Sequence, residues 1–377
     1  MDIDRLRSAF KAKYGIDPRI FRAPGRVNLI GEHTDYNYGF VLPAALDLAT
    51  YVAASIRKDR SIRVASLSFD REAELNLDEL TAGLEETWAK YVYGVAAILE
   101  REGVKLRGAD LLIDSDVPVG AGLSSSAALE ISAAYALASL SGHLVDGMHL
   151  ARIGQMAEHE FAGVRSGIMD QFSAVFGQTD HALFLDCLSL EWSPVSLPTA
   201  KFIICNTRTK HDLADGEYNN RRAECEAAAA FFGRSSLRHV SQSEFDAKAT
   251  EMPEMLQRRA RHVISENERV LSSVRALEVG DLQAFGYLMN ASHDSLRDDF
   301  EVSCRELDVM VEVARSRSEV FGARMTGGGF GGCTINLVAA QDHRALIAYL
   351  SETYSREVGR VPDIYECRIG RGVCEVD

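Results

Sequence analysis

No run in the 377-residue sequence approaches the ~18 consecutive apolar residues that a membrane-crossing helix needs, so no spanning segment is expected. Cysteine is sparse and unpatterned. Cys187, Cys205, Cys225, Cys304, Cys333, Cys367 and Cys374 are odd in number, and no two carry the spacing of a zinc knuckle or a redox pair. Reduced thiols in a cytoplasmic compartment are the simplest expectation. Basic charge is also short: 41 Lys and Arg stand against 55 Asp and Glu, a net charge of -14 with no long block of either sign. A surface built to neutralise nucleic acid phosphates is therefore not expected, and any phosphate-handling site must be local. Internal repeats and low-complexity tracts are missing as well. What is present is an ordinary globular composition, 46% hydrophobic and 25% charged, long enough for two domains with separate cores.

Strand-like runs rich in Val, Ile, Leu and Phe recur at Val52 to Ile56, Ile62 to Phe69, Leu111 to Ile113, Ala182 to Leu185 and Phe202 to Cys205. Helical stretches lie among them, so the chain reads as α+β. Met1 to Ile20 carries Leu6, Phe10 and Tyr14 at helical spacing and reads as a surface helix. Helices are predicted over Glu85 to Glu100, over Ser124 to Leu140 with Gly142 as its stop, and from Asp146 to Gly163. Beyond Leu197 and Pro198 long charged helices dominate, at Tyr218 to Phe232, Met255 to Leu277 and Arg305 to Phe321, and a domain boundary is expected near Pro198. Residues 1–198 would form an N-terminal domain and 199–377 a C-terminal one. Arg324 to Val338 reads as strand, glycine turn, strand.

The segment Val117 to Ala128 follows a strand and runs directly into a helix, the context of an anion-binding turn. Gly120 and Gly122 let backbone approach oxygen atoms closely, and the helix start offers free N–H groups. Ser124, Ser125 and Ser126 add three hydroxyls, where a plain helix cap would need one. A second cluster, Thr326 to Gly332, contains a G-x-G-x-x-G match, yet a strand follows where a dinucleotide site needs a helix. That cluster is expected to buttress the serine loop. No G-x-x-x-x-G-K-[ST] occurs, which excludes a P-loop nucleotide site. Gly31 to Gly39 holds Glu32, His33 and Asp35 in a polar turn, with Arg26 and Asn28 upstream. A metal site or an Asx-rich turn would fit those residues; the neighbouring cation and amide favour a polyol ligand. Glu158 and Glu160 lie about 100° apart on a helix, so one of the two at most can face a given ligand. Asp170 opens a further helix, where the dipole alone would favour it.

Gly25 to Asn37, Pro118 to Ala127 and Met325 to Gly332 together resemble, in order and spacing, the three motifs of the GHMP small-molecule kinases. The first is similar to the galactokinase signature within that family, and the likeness extends to Ser166 to Gln171 and Glu217 to Arg222. The resemblance implies a two-domain GHMP kinase fold, with an N-terminal domain like a ribosomal-protein domain and a ferredoxin-like C-terminal domain around a cleft. It implies transfer of the γ-phosphoryl group of Mg-ATP to the C1 hydroxyl of galactose. Asp170 would be the catalytic base or the group orienting that hydroxyl. Arg26 would pair with it and stabilise charge on the phosphoryl group in flight. Glu32, His33, Thr34, Asp35, Gly167 and Tyr218 would bind sugar; Gly120, Ala121, Gly122, Leu123, Ser124, Ser125 and Ser126 would wrap the triphosphate; Ser126 and Glu158 would hold Mg2+. Galactose and ATP would be the partners of a monomer. Glu32 would repel a C6 carboxylate, which disfavours galacturonate, and Gly-Ile-Met-Asp at Gly167 to Asp170 disfavours N-acetylgalactosamine. A non-catalytic sugar sensor is the alternative from another class, and the uninterrupted run Ser124 to Ala128 speaks against it.

Overall fold

The computed structural model describes residues 1–80, 88–197, 201–210, 214–339 and 343–376. Its first layer is a six-stranded sheet in the order Cys374–Val376, Arg19–Asn28, Pro43–Ile56, Ala109–Ser115, Ser61–Ser66 and Arg71–Asn76. All neighbours are antiparallel except Ser61–Ser66 and Ala109–Ser115. Alternation along the strands sorts residues between two cores. Phe21, Ala23, Val52, Leu111 and Ile113 face the helices Ala89–Arg101, Ser125–Leu140 and Gly147–Ala157. Ile20, Tyr51, Ala53 and Leu112 face the opposite way, where the helix Ile3–Tyr14 covers them with Leu6 and Phe10. The expected N-terminal surface helix is thus a lid on the sheet. Asp2 caps it by accepting from the Arg5 N–H at 3.0 Å, and Gly15 ends it at φ 74°.

A second sheet, antiparallel throughout, runs Val320–Thr326, Gly331–Val338, Lys201–Lys210 and Asp363–Cys367. Helices Arg305–Arg315 and Arg344–Val358 pack on it through Met310, Val311, Leu346 and Leu350. Between the two sheets lies a shared core in which Val27, Leu29, Val117 and Leu123 meet Ile204, Met289, Cys333 and Ile335. The boundary expected at Pro198 falls on residues 198–200, which lie outside the described residues, as do the first three positions of the helix expected from Glu85.

Several elements differ from the sequence expectation. Arg19–Asn28 is a strand that reading did not mark, because Pro24 and Gly25 interrupt its apolar pattern; the register slips between Pro24 and Arg26. The helix expected to reach Phe321 ends at Arg315, and Val320 onward is sheet. The segment from Asp146 to Gly163 is α-helical through Ala157, then makes a π turn over Glu158–Ala162. Leu282–Asp298, an unmarked helix, packs beside Glu254–Glu278.

Candidate active site

The strand carrying Arg26 places its guanidinium at the junction of three loops. Nε donates to Asp170 Oδ1 at 2.9 Å and Nη2 to Oδ2 at 3.0 Å, a two-point pair, while Nη1 donates to the Gly122 carbonyl at 2.7 Å. Gly25 is required beside it, since a Cβ there would sit 2.6 Å from the Leu123 carbonyl. That same carbonyl accepts the Arg26 N–H at 3.1 Å. The sugar-type loop and the serine loop are therefore joined by backbone as well as by charge.

Ser124 stands immediately before the helix Ser125–Leu140 in the left-handed region, φ 56°, and its hydroxyl caps nothing. It donates instead to Asp170 Oδ2. A strained non-glycine backbone that gives up a cap to reach a carboxylate is a mark of a working site. Gly122 (φ 77°) and Gly327 (φ 83°) face one another: a Cβ on Gly327 would lie 2.9 Å from the Gly122 carbonyl. A Cβ on Gly332 would lie 3.0 Å from the Ala121 carbonyl. The second glycine cluster does buttress the serine loop.

Glu158, at the π turn, points inward. Ser126 Oγ donates to its Oε1 at 3.1 Å, and Ser166 Oγ donates to its Oε2, which also accepts from Gln171 Nε2 at 3.2 Å. Burial, then the nearby Asp170 charge, pushes its carboxyl up. Glu160 turns outward to Arg101, at 2.7 and 2.8 Å. The spacing argument for one inward glutamate holds.

Glu32 is 1% exposed. Its Oε1 accepts from the Gly327 N–H at 2.6 Å; its Oε2 accepts from Asn28 Nδ2 and lies 3.2 Å from Arg324 Nη2. Burial pushes its pKa up, against the pull of Arg324 and the Gly327 N–H. His33, at φ 62°, donates from Nε2 to the Gly328 carbonyl at 3.1 Å and accepts from the Tyr36 hydroxyl at Nδ1, 2.9 Å. Burial, then the neighbouring His262, lowers it to about 3, which keeps the ring neutral. Asp35 is raised to about 7 by burial and then by Asp170. A Cβ on Gly167 would lie 2.0 Å from Asp35 Oδ2, so glycine alone fits against that carboxylate. Tyr218 closes this end, its ring 5.4 Å from those of His33 and Tyr36.

These groups line one cleft of about 1030 Å³. Arg26, Glu32, His33, Asp35, Gly120, Gly122, Ser124, Ser125, Ser126, Glu158, Asp170 and Tyr218 all reach it. Thr34 does not; its hydroxyl lies on the Gly31 and Phe40 carbonyls at 2.8 and 2.6 Å and closes the loop. Ala121, Leu123 and Gly167 are also absent from the lining and act through backbone or close packing. Phe69, Trp88 and Tyr91 also line it, the first two with ring centroids 6.3 Å apart, and the buried Trp88 Nε1–H lacks a partner.

Sequence reasoning missed the residues of the helix Glu254–Glu278 that grip the loop from Gly31 to Phe40. Asn267 Oδ1 accepts the Phe40 N–H at 2.8 Å, Glu266 Oε1 accepts the Gly31 N–H at 2.9 Å, and His262 Nε2 donates to the Glu32 carbonyl at 3.1 Å. All three sit within one helix as members of an apparently ordinary charged stretch, and the only local signal was polar residues on its buried face.

Three family models match parts of the chain: the galactokinase galactose-binding signature over residues 8–56, the GHMP kinases N terminal domain over 90–178 and the GHMP kinases C terminal over 273–356. The galactokinase of Chloroflexus aurantiacus is 47% identical over 99% of this chain and 97% of its own. That of a Roseiflexus species is 46% identical over 100% and 98%. The chain belongs to the galactokinases. Among solved structures, Lactococcus lactis galactokinase complexed with galactose superposes at a TM-score of 0.96, with 38% identity and full coverage of both chains. Mevalonate kinase from Methanococcus jannaschii, at 20% identity and a TM-score of 0.67, shares the fold. As a galactokinase, the chain is an ATP-dependent sugar kinase of the two-domain GHMP type.

Proposed function

We propose that this galactokinase transfers the γ-phosphoryl group of ATP to the C1 hydroxyl of galactose at the junction that Arg26 builds between Asp170 and the serine loop. The two-point Arg26–Asp170 pair carries the reading, because it puts a carboxylate and a cation where a hydroxyl and a phosphate must meet. Asp170 accepts or orients the C1 proton. Arg26, already bonded to the Gly122 carbonyl, offers charge to the phosphoryl group as it moves. Catalysis of this kind rests on positioning and charge neutralisation, which a rigid, mostly buried constellation supplies.

The sugar lies against Glu32, His33, Asp35, Gly167 and Tyr218, with Thr34 shaping the loop. Glu32 accepts one hydrogen bond on each oxygen and keeps acceptor positions for a hydroxyl, and a neutral His33, both of its ring nitrogens occupied, adds shape without charge. The triphosphate follows Gly120, Ala121, Gly122, Leu123, Ser124, Ser125 and Ser126 into the helix N-terminus, and the base lies by the aromatic rings of Phe69, Trp88 and Tyr91. Ser126 and Glu158 fit Mg2+: both are oxygen donors on the cleft, and a magnesium ion needs few protein ligands beside phosphates. When bound, the ion neutralises phosphate charge. Seven free cysteines, five of them buried, suit a reducing cytoplasm.

The test is a sugar panel with Mg-ATP. Galactose should yield galactose 1-phosphate, and Asp170→Ala should lose about 10²- to 10⁴-fold in turnover while galactose and nucleotide still bind by calorimetry. Unchanged turnover would remove Asp170 from the mechanism.

A further inference from the structure

Glu130 is a fully buried carboxyl in the middle of the helix Ser125–Leu140, and Gln171 is fully buried one residue after Asp170. Gln171 Nε2 donates to Glu130 Oε2 at 2.9 Å and to Glu158 Oε2 at 3.2 Å. One amide nitrogen thus spends both hydrogens tying two acidic side chains together. Neither Glu130 Oε1 nor Gln171 Oε1 has a hydrogen-bond partner. Two buried polar atoms left unsatisfied cost stability, so the arrangement asks for a reason outside packing.

Counting lone pairs supplies one. A carboxylate offers about two acceptor positions on each oxygen. Glu158 Oε2 fills its two with Ser166 and Gln171; Oε1 uses one on Ser126 and keeps one. With both positions on Oε2 filled, only Oε1 is left free for a ligand in the cleft. We propose that Gln171, anchored by Glu130, is the positioning residue that fixes the rotamer of Glu158 and so presents a single oxygen, beside the Ser126 hydroxyl, to the nucleotide-bound divalent cation. This rests on the reading of Ser126 and Glu158 as the cation's ligands. Partners behind a metal ligand orient it, and their loss usually weakens metal binding about 10- to 100-fold.

Mn2+ serves as the probe. The quantity measured is the ratio of ADP affinities with and without Mn2+, by titration calorimetry on the full chain. Gln171→Leu removes the tie at similar volume and should lower the ratio about tenfold or more, with metal-free ADP and galactose affinities unchanged. Glu130→Leu should act in the same direction, while Glu130→Gln, whose amide oxygen can still accept from Gln171, should keep the wild-type ratio. A merely structural role for Glu130 and Gln171 would instead shift the melting temperature and all three affinities together. Should Gln171→Leu fail to fold, the contrast between Glu130→Leu and Glu130→Gln decides the matter. A reduced ratio in Glu158→Gln with none in Gln171→Leu overturns the positioning role and leaves the cation site standing. No reduction in Glu158→Gln removes the cation site and this inference with it.

Discussion

Arg324 is fully buried, donates from Nη1 to the Asn28 carbonyl at 3.1 Å and faces Glu32 with Nη2. Such a pair need not add net stability over an apolar one, but removing one member strands a charge, at a cost of about 3 to 5 kcal/mol. Arg324→Met should therefore lower the urea unfolding midpoint by that equivalent, and an unchanged midpoint would show that Glu32 is held by Asn28 and the Gly327 N–H alone. Gly167 makes the opposite kind of test, because one methyl group is added. With 2.0 Å to Asp35 Oδ2, Gly167→Ala must displace that carboxylate. A shift on the scale of 1 Å is worth about 100-fold in catalysis, so kcat/KM for galactose should fall by that order while ADP affinity stays constant. Equal loss of both would place the damage in the fold. Glu32, His33 and Asp35 were legible as a polar loop beside Arg26, whereas Gly167 entered only through the family resemblance. Arg324 was not: one arginine before a glycine cluster carries no sign of being buried.

At the scale of elements, the serine loop holds its conformation at a cost. Ser124 sits at φ 56°, a region that costs a non-glycine residue about 1 to 2 kcal/mol, and its hydroxyl goes to Asp170. Ser124→Gly should raise the unfolding free energy by about 1 kcal/mol and lower turnover, read from urea titration and initial rates. Loss of both stability and turnover would mean that the Asp170 contact outweighs the strain. The serine loop and its helix were readable because glycine, serine and a long small-residue run announce them locally. The π turn at Glu158 was not, since it depends on Ser126, Ser166 and Gln171 arriving from other elements. Helix Leu282–Asp298 escaped notice for a related reason: its buried positions include Ser292, His293 and Ser295, which blunt the apolar stripe.

Across the whole molecule, the loop from Gly31 to Gly39 follows a strand of the six-stranded sheet and is clasped by the helix Glu254–Glu278. His33 and His262 lie in this seam against Phe300, with ring centroids 4.7 and 4.6 Å away. Burial is the leading cause of both depressions, to about 3 for His33 and about 4 for His262. A base depressed in the folded state stabilises it fully above its ordinary value near 6.5, and the contribution is lost as pH falls toward the folded value. Stability should therefore decline from pH 6.5 down to about 4, by about 1.4 kcal/mol per pH unit for each histidine. Asp35, raised to about 7, works in the other sense and loses its contribution as pH rises from about 4 to 7. Urea midpoints from pH 4 to 8 for the wild type and His262→Gln separate the terms, since the variant should show a shallower acid limb. An identical limb would acquit His262. No helix among the described residues is long and apolar enough to cross a membrane.

Local chemistry was enough to determine the α+β class, a glycine- and serine-rich turn that runs into a helix, and the glycine cluster behind it; the family came from the resemblance of three motifs. Each depends on residue types close together in the chain: φ > 0 at Gly122, hydroxyls at a helix start, alternation in a strand. Tertiary structure alone decided that Arg26 meets Asp170 across 144 positions, that Glu158 faces in while Glu160 faces out, and that Arg324, Glu266 and Asn267 hold the loop from far along the chain. The physical reason is desolvation. A carboxylate, a guanidinium or an amide reads as surface in sequence, and acquires its role only when folding removes water and leaves one partner within reach.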